Sequence, residues 1–229
     1  VSEIASMIST AILDPGDEVL LPLPCYSLWV NEVLLHQAVP VFYRCDESCG
    51  WNPDTDHMKS LITPKTKAIV VINPNNPTGV VYDNGTLLRI AEIARENKLV
   101  VLSDEIYDRL IFGEKEYSSF ASLAPDIPVV TMNGLSKSHC LCGFRCGWLV
   151  TSGPADARTQ ISTALLKLAS IRLSANAMMQ TIIPAALADT QYTKRMIGPE
   201  GRLYQQRKAT FAELDKLDCV SYVKNDASF

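Results

Sequence analysis

The chain has 229 residues, 47% of them hydrophobic, enough for one sizeable core with an appendage. Its 21 Lys and Arg against 25 Asp and Glu give a net charge of −4 with no basic block, which argues against nucleic acid as a partner. The longest apolar runs, around residues 68–72 and 98–102, are far too short to span a bilayer, so no membrane partner is expected. In chain order, short β-branched runs read as strands at Val19 to Leu21, Val39 to Tyr43, Ala68 to Ile72, Leu99 to Leu102, Val129 to Thr131 and Gly147 to Thr151. Several lack polar alternation, as strands covered on both faces do. Thr86 to Asn97 places Leu87, Ile90, Ala91 and Ala94 on one helical face. Asp156 to Ser170 and Ala177 to Ala188 follow as helices. After the break at Gly198-Pro199, a long helix is expected over Arg202 to Leu217 and a strand over Val220 to Val223. Alternating strands and helices predict an α/β fold, a mostly parallel sheet with helices on both faces. Ligands of such sheets bind at the carboxyl ends of the strands.

Seven cysteines raise the question of metal or disulfides. Neither the Cys45/Cys49 pair nor the Cys140, Cys142, Cys146 group has zinc-site spacing, so no metal is expected. An odd number of cysteines in such a chain points to reduced thiols and a cytoplasmic setting.

Three polar motifs follow strand ends. Asn73-Pro74-Asn75-Asn76-Pro77-Thr78-Gly79 combines stiff prolines with directed amide groups, and an ordinary turn is its plain alternative. Ser103-Asp104-Glu105-Ile106-Tyr107 sets acids at the end of a buried strand. A buried acid is costly unless paired, so Asp104 is either a helix cap or the partner of a cationic ligand group. Asn133-Gly134-Leu135-Ser136-Lys137 is followed by Gly143-Phe144-Arg145-Cys146-Gly147. A lysine shielded near a strand end can serve as a nucleophile, although most lysines lie on the surface.

In this order and spacing, the three motifs resemble the class I and II aminotransferases of pyridoxal phosphate (PLP) fold type I. Pro22-Leu23-Pro24-Cys25-Tyr26 and the segment from Leu168 to Leu173 make the chain most similar to the bacterial glutamate–pyruvate (alanine) aminotransferase branch. The resemblance implies that Lys137 carries PLP as a Schiff base and acts as the catalytic acid and base. It implies Asp104 on the pyridine nitrogen, Tyr107 and Asn76 on the phenolic oxygen, and Tyr26 stacked on the ring. It implies Arg145 on the phosphate, with Ser2 and the helix start at Val1 beside it, and Ser136 in place of the serine that many relatives carry where Gly134 stands. The sulfur-rich segment from Ser138 to Cys142 departs from the family pattern, and its cysteines are expected to be buried packing groups.

The resemblance further implies a PLP-binding large domain over residues 1–198. An interdomain helix and the start of a truncated small C-terminal domain would occupy 199–229. Family members extend beyond both ends, into an arm that joins a homodimer and a domain whose arginine grips the substrate carboxylate. The 229-residue chain alone is therefore expected to be a poor catalyst. The implied substrates are alanine and 2-oxoglutarate. Carbon–sulfur lyases, aminocyclopropane-carboxylate synthases and PLP-sensing transcription regulators share these cofactor residues and stand as alternatives.

Overall fold

The computed structural model describes residues 1–228. Helix α1 (Ser2–Ile12) leads into β1 (Glu18–Leu23), α2 (Ser27–Leu35), β2 (Val39–Asp46), β3 (Asn52–Pro53) and α3 (Thr55–Ser60). Then come β4 (Thr66–Ile72), α4 (Asn84–Asn97), β5 (Val100–Asp104), α5 (Phe120–Leu123), β6 (Val129–Gly134), α6 (Leu135–Ser138) and β7 (Gly147–Ser152). The rest is helical: α7 (Ala155–Arg172), α8 (Ala177–Gln180), α9 (Ile182–Ala188), α10 (Thr190–Ile197) and α11 (Arg202–Leu214).

The seven strands form one sheet in the order β3-β2-β1-β4-β5-β6-β7. The pairings from β2 to β6 are parallel, and the two edge strands β3 and β7 are antiparallel. Side chains alternate between two cores because successive strand residues point to opposite faces. On β4, Ile69 and Val71 join Leu87, Ile90 and Phe120 under α4 and α5. Ala68, Val70 and Ile72 join Ala5, Ile8, Trp29 and Ile161 under α1, α2 and α7. This is why β4 reads as a continuous apolar run: both of its faces are covered.

Four stretches differ from the sequence expectation. Leu99 closes α4 rather than opening β5. Lys98 adopts the left-handed conformation (φ 54°) and the Leu99 N–H bonds back to the Ala94 carbonyl at 2.9 Å. The helix expected over residues 177–188 is broken at Thr181, because Pro184 has no N–H to give to residue 180 and its ring crowds that carbonyl. No strand forms over 220–223. Among the described residues that segment joins no strand ladder, and Tyr222 instead stacks on Phe211 at 5.3 Å. The long helix ends at Leu214, three residues before the expected Leu217.

The segment 225–228 folds back over the Asn-Pro loop. The Gly79 carbonyl accepts from the Asp226 and Ala227 amides at 3.0 and 2.9 Å, and the Phe112 N–H donates to the Asp226 carbonyl at 2.8 Å. Gly79 has φ +70°, and a Cβ there would lie 2.6 Å from the Asn225 Cβ and 2.7 Å from the Ala227 carbonyl oxygen. Gly79→Ala is therefore expected to cost about 2 kcal/mol, combining left-handed strain with displacement of this segment. A lowered urea midpoint checks it, and an unchanged one would contradict the close approach.

Candidate active site

The carboxyl ends of the parallel strands converge on a cavity of about 210 Å³. Four of these strands, β1, β4, β5 and β6, deliver elements of its wall. Tyr26 follows β1, Asn76 follows β4, Asp104 and Tyr107 close β5, and Ser136 and Lys137 sit in the α6 turn after β6. Val1 and Ser2 at the start of α1 complete the wall together with Arg145. All nine residues singled out from the sequence thus line this one cavity. Leu28, Ile72, Ile106 and Cys142 line it as well and were missed, since nothing in their residue types marks them. A hollow of about 560 Å³ next to it shares Val1, Ser2, Ser136 and Arg145 but has neither Lys137 nor Asp104 in its wall.

The Asn-Pro loop is shaped by two of its own amides. The Asn73 side chain accepts from the Tyr82 N–H at 2.9 Å. Asn75 donates to the Tyr82 hydroxyl at 3.1 Å and accepts from the Thr78 hydroxyl at 2.9 Å. Their amides are engaged within the loop, while Asn76 faces the cavity.

Asp104 is 3% exposed and caps no helix. One carboxylate oxygen accepts from the Trp29 indole N–H at 3.2 Å, and the other from the Ile106 N–H at 3.3 Å. Burial pushes its pKa above the ordinary carboxylate range, against the pull of those two donors. Trp29 was also missed. It is fully buried on α2, and a buried indole needs an acceptor, which is the signal that could have linked it to an acid. Burial, and then the Asp104 charge, push the Tyr107 phenol upward too, so it stays protonated and able to donate. Lys137 is half-buried, with Nζ 5.6 Å from the centre of the Tyr107 ring.

Arg145 is held left-handed (φ 55°) at the end of a tight turn. Its guanidinium donates to the Cys142 carbonyl at 2.8 Å and to the Ser2 hydroxyl at 3.2 Å. A cation, a hydroxyl and the open N–H groups of an 11-residue helix therefore share one corner, which is anion-binding chemistry. Gly134 has a packing reason. A Cβ there would lie 2.7 Å from the Cys146 carbonyl oxygen, so β6 and β7 leave no room for a serine.

The sulfur-rich segment corrects an expectation. Cys140 and Cys142 are exposed, and of the three cysteines only Cys146 is buried. The turn from Leu141 to Phe144 carries Cys142 to the cavity rim, where its thiol donates to the Ser136 carbonyl at 3.0 Å. Cys25 is a packing thiol that burial pushes up to about 12. Among the described residues no group of three or more His, Cys, Asp or Glu side chains is placed to hold a metal ion, and no helix is long and apolar enough to cross a membrane.

Glu105, next to Asp104, faces away from the cavity and anchors the following loop. It accepts from the hydroxyls of Ser103, Tyr117 and Ser119 at 2.8, 2.7 and 3.0 Å and from the Phe120 N–H at 3.0 Å. Glu105→Gln keeps one acceptor oxygen but turns an amide NH2, which cannot accept, toward the Tyr117 hydroxyl. A loss of about 1–3 kcal/mol in urea unfolding is expected. Full retention of stability would show that the carboxylate is dispensable.

The residues fit PLP on three counts: a buried acid with only uncharged donors for a ring nitrogen, an anion corner for a phosphate, and a lysine on the same cavity. Sheet and cavity define an α/β protein of the PLP-dependent fold type I class. The family model for aminotransferase class I and II matches residues 1–229. The chain is 45% identical over 224 residues to the glutamate-pyruvate aminotransferase AlaA of Escherichia coli strain K12, covering 98% of this chain and 55% of that protein. It is 42% identical over 224 residues to the alanine aminotransferase of Mycobacterium tuberculosis strain H37Rv, covering 98% and 52%. Among solved structures, an aminotransferase from Escherichia coli superposes with a TM-score of 0.96 at 44% identity, over 99% of this chain and 56% of that one. The alanine aminotransferase from Pyrococcus furiosus superposes at 0.94 with 39% identity, over 100% and 57%. The chain belongs to the class I and II aminotransferases, a PLP-dependent family, and spans about half the length of these relatives.

Proposed function

We propose that the full-length protein transfers an amino group between an amino acid and a 2-oxo acid, with alanine and 2-oxoglutarate as the pair. The convergence of Lys137, Asp104, Tyr107 and Arg145 on one cavity carries this reading. The names of the glutamate-pyruvate and alanine aminotransferase relatives support the substrate pair. When bound, PLP supplies an aldehyde that takes up amines and a cationic ring that draws electrons from the substrate α-carbon.

The chain's own groups divide the remaining work. Lys137 Nζ is the covalent anchor and, once released, takes and returns a proton. The Asp104 carboxylate keeps a proton on the ring nitrogen by charge. The Tyr107 hydroxyl and the Asn76 amide donate to the phenolic oxygen. Arg145 and Ser2, with the start of α1 at Val1 and with Ser136, bind the phosphate. Tyr26, at the mouth, covers the ring face. Residues 1–198 form the large domain in this reading, and 199–229 lead into a second one. Leu166, Ile171, Leu173 and Met178 are 70, 80, 88 and 73% exposed, an apolar surface suited to the partner of a homodimer working in the cytoplasm.

Borohydride reduction of the PLP-treated full-length protein tests the site, and pyruvate release from alanine with 2-oxoglutarate tests the reaction. The expected result is visible absorbance and a pyridoxyl group on the Lys137 peptide. A colourless protein with Lys137 unmodified would overturn the assignment.

A further inference from the structure

The His139 ring is 6% exposed and lies two residues beyond Lys137, just past the end of α6. Its Nε2 meets the Ala186 carbonyl of α9 at 2.8 Å, and its Nδ1 meets the Ser138 hydroxyl at 2.9 Å. A carbonyl only accepts, so Nε2 carries the proton; Nδ1 then accepts the single Ser138 hydroxyl proton over the shorter path, in preference to the Gly134 carbonyl at 3.3 Å. The ring also stacks on Tyr192 of α10, with centroids 5.4 Å apart and planes 9° from parallel. A second tie runs beside it: the Cys146 thiol donates to the Met179 carbonyl of α8 at 3.0 Å.

These contacts matter because α6 is a single four-residue turn. Its start follows β6 directly and is tied to the residue before β7 through the Leu135 N–H on the Cys146 carbonyl at 3.1 Å. A turn this short has little internal stiffness, so the position of Lys137 depends on what holds its far end. Of the ring contacts there, those to Ala186 and Tyr192 are the ones that reach beyond the turn, into the C-terminal helices.

We propose that His139 is a positioning residue for Lys137: it brackets the lysine turn against α9 and α10 and so presets the amine for the cofactor. The inference rests on Lys137 as the PLP anchor. It assigns part of the unusual His-Cys segment to mechanical support.

The test compares wild type, His139→Phe, His139→Asn and His139→Gln in the full-length protein. Phenylalanine keeps the stack on Tyr192 without hydrogen bonds. Asparagine places its polar group where Nδ1 lies and falls short of Ala186. Glutamine reaches the Nε2 position and restores the donor. The readouts are PLP affinity by absorbance titration, the fraction of Lys137 trapped by borohydride, and the thermal midpoint without PLP. Orphaning a buried carbonyl and freeing the turn is expected to weaken PLP about tenfold in the Phe and Asn variants, with Gln within about threefold of wild type. Should the Phe variant not fold, the Asn and Gln pair carries the comparison. PLP affinity unchanged within twofold in the Asn variant would overturn the proposal. So would Gln losing affinity as Asn does, in step with the thermal midpoint. A wild type that traps nothing at Lys137 would overturn the cofactor reading along with it, whereas normal trapping with indifferent variants would remove the bracket alone.

Discussion

Replacing Lys137 by alanine is expected to reduce transamination by the full-length protein at least about 10⁴-fold, because one amine performs two tasks. As nucleophile it anchors the cofactor, and as acid and base it moves the proton at the substrate α-carbon. The remaining wall, with Asp104, Tyr107 and Arg145 intact, should still bind PLP without the covalent bond. The variant is therefore expected to take up cofactor reversibly while yielding no borohydride-trapped peptide at residue 137. Stability should change little, since Lys137 is half-buried and its Nζ lies 5.6 Å from the Tyr107 ring centre. Added methylamine, a free amine that fits the vacated space, should restore part of the rate. A variant transaminating at the wild-type rate would end the assignment of Lys137.

Much of this was legible in the sequence for a definite reason. The central strands are covered on both faces, so β4 is a run of apolar residues from Ala68 to Ile72 with no polar alternation to confuse it. Asn76, Asp104 and Lys137 belong to polar motifs at the ends of those runs, and the family resemblance added Tyr26 and the role of Arg145. What was illegible depends on contacts between distant segments. Trp29 reaches Asp104 across 75 positions, and the indole alone does not name its acceptor. Val220 to Val223 has strand-like residue types, yet a strand exists only where a ladder partner is available, and here Tyr222 packs on Phe211 instead. The break at Thr181 was overlooked although Pro184 signals it: its missing N–H outweighs the helical pattern around it. Cys140 and Cys142 misled because a free cysteine is usually buried, whereas these two ride on a turn shaped by its neighbours.

Asp104→Asn should separate stability from function. Burial raises the Asp104 pKa, so the folded chain binds a proton more tightly there than the unfolded chain does. A carboxyl shifted in this direction costs nothing at pH values below the ordinary carboxylate range. Its cost sets in as pH rises through that range and is complete above the raised value. An amide is spared that charge cost at every pH, but it accepts from only one of Trp29 and Ile106 and turns its NH2 toward the other donor, a loss that does not depend on pH. The melting temperature of the cofactor-free variant relative to wild type should therefore rise between about pH 4 and pH 7, as the wild-type carboxylate meets its charge cost and the amide does not. Activity should fall. An amide cannot hold a proton on the ring nitrogen by charge, and the loss is expected to be about 10²-fold or more in kcat, comparable with removing one preorganised electrostatic contact. PLP absorbance in the variant should change as well, because the ring nitrogen loses its counter-charge. Thermal melts of the cofactor-free protein at pH 4 and pH 7, set beside kcat of the loaded full-length enzyme, check both halves. A variant that is both less stable and fully active would show that the buried carboxylate serves the fold and not the cofactor.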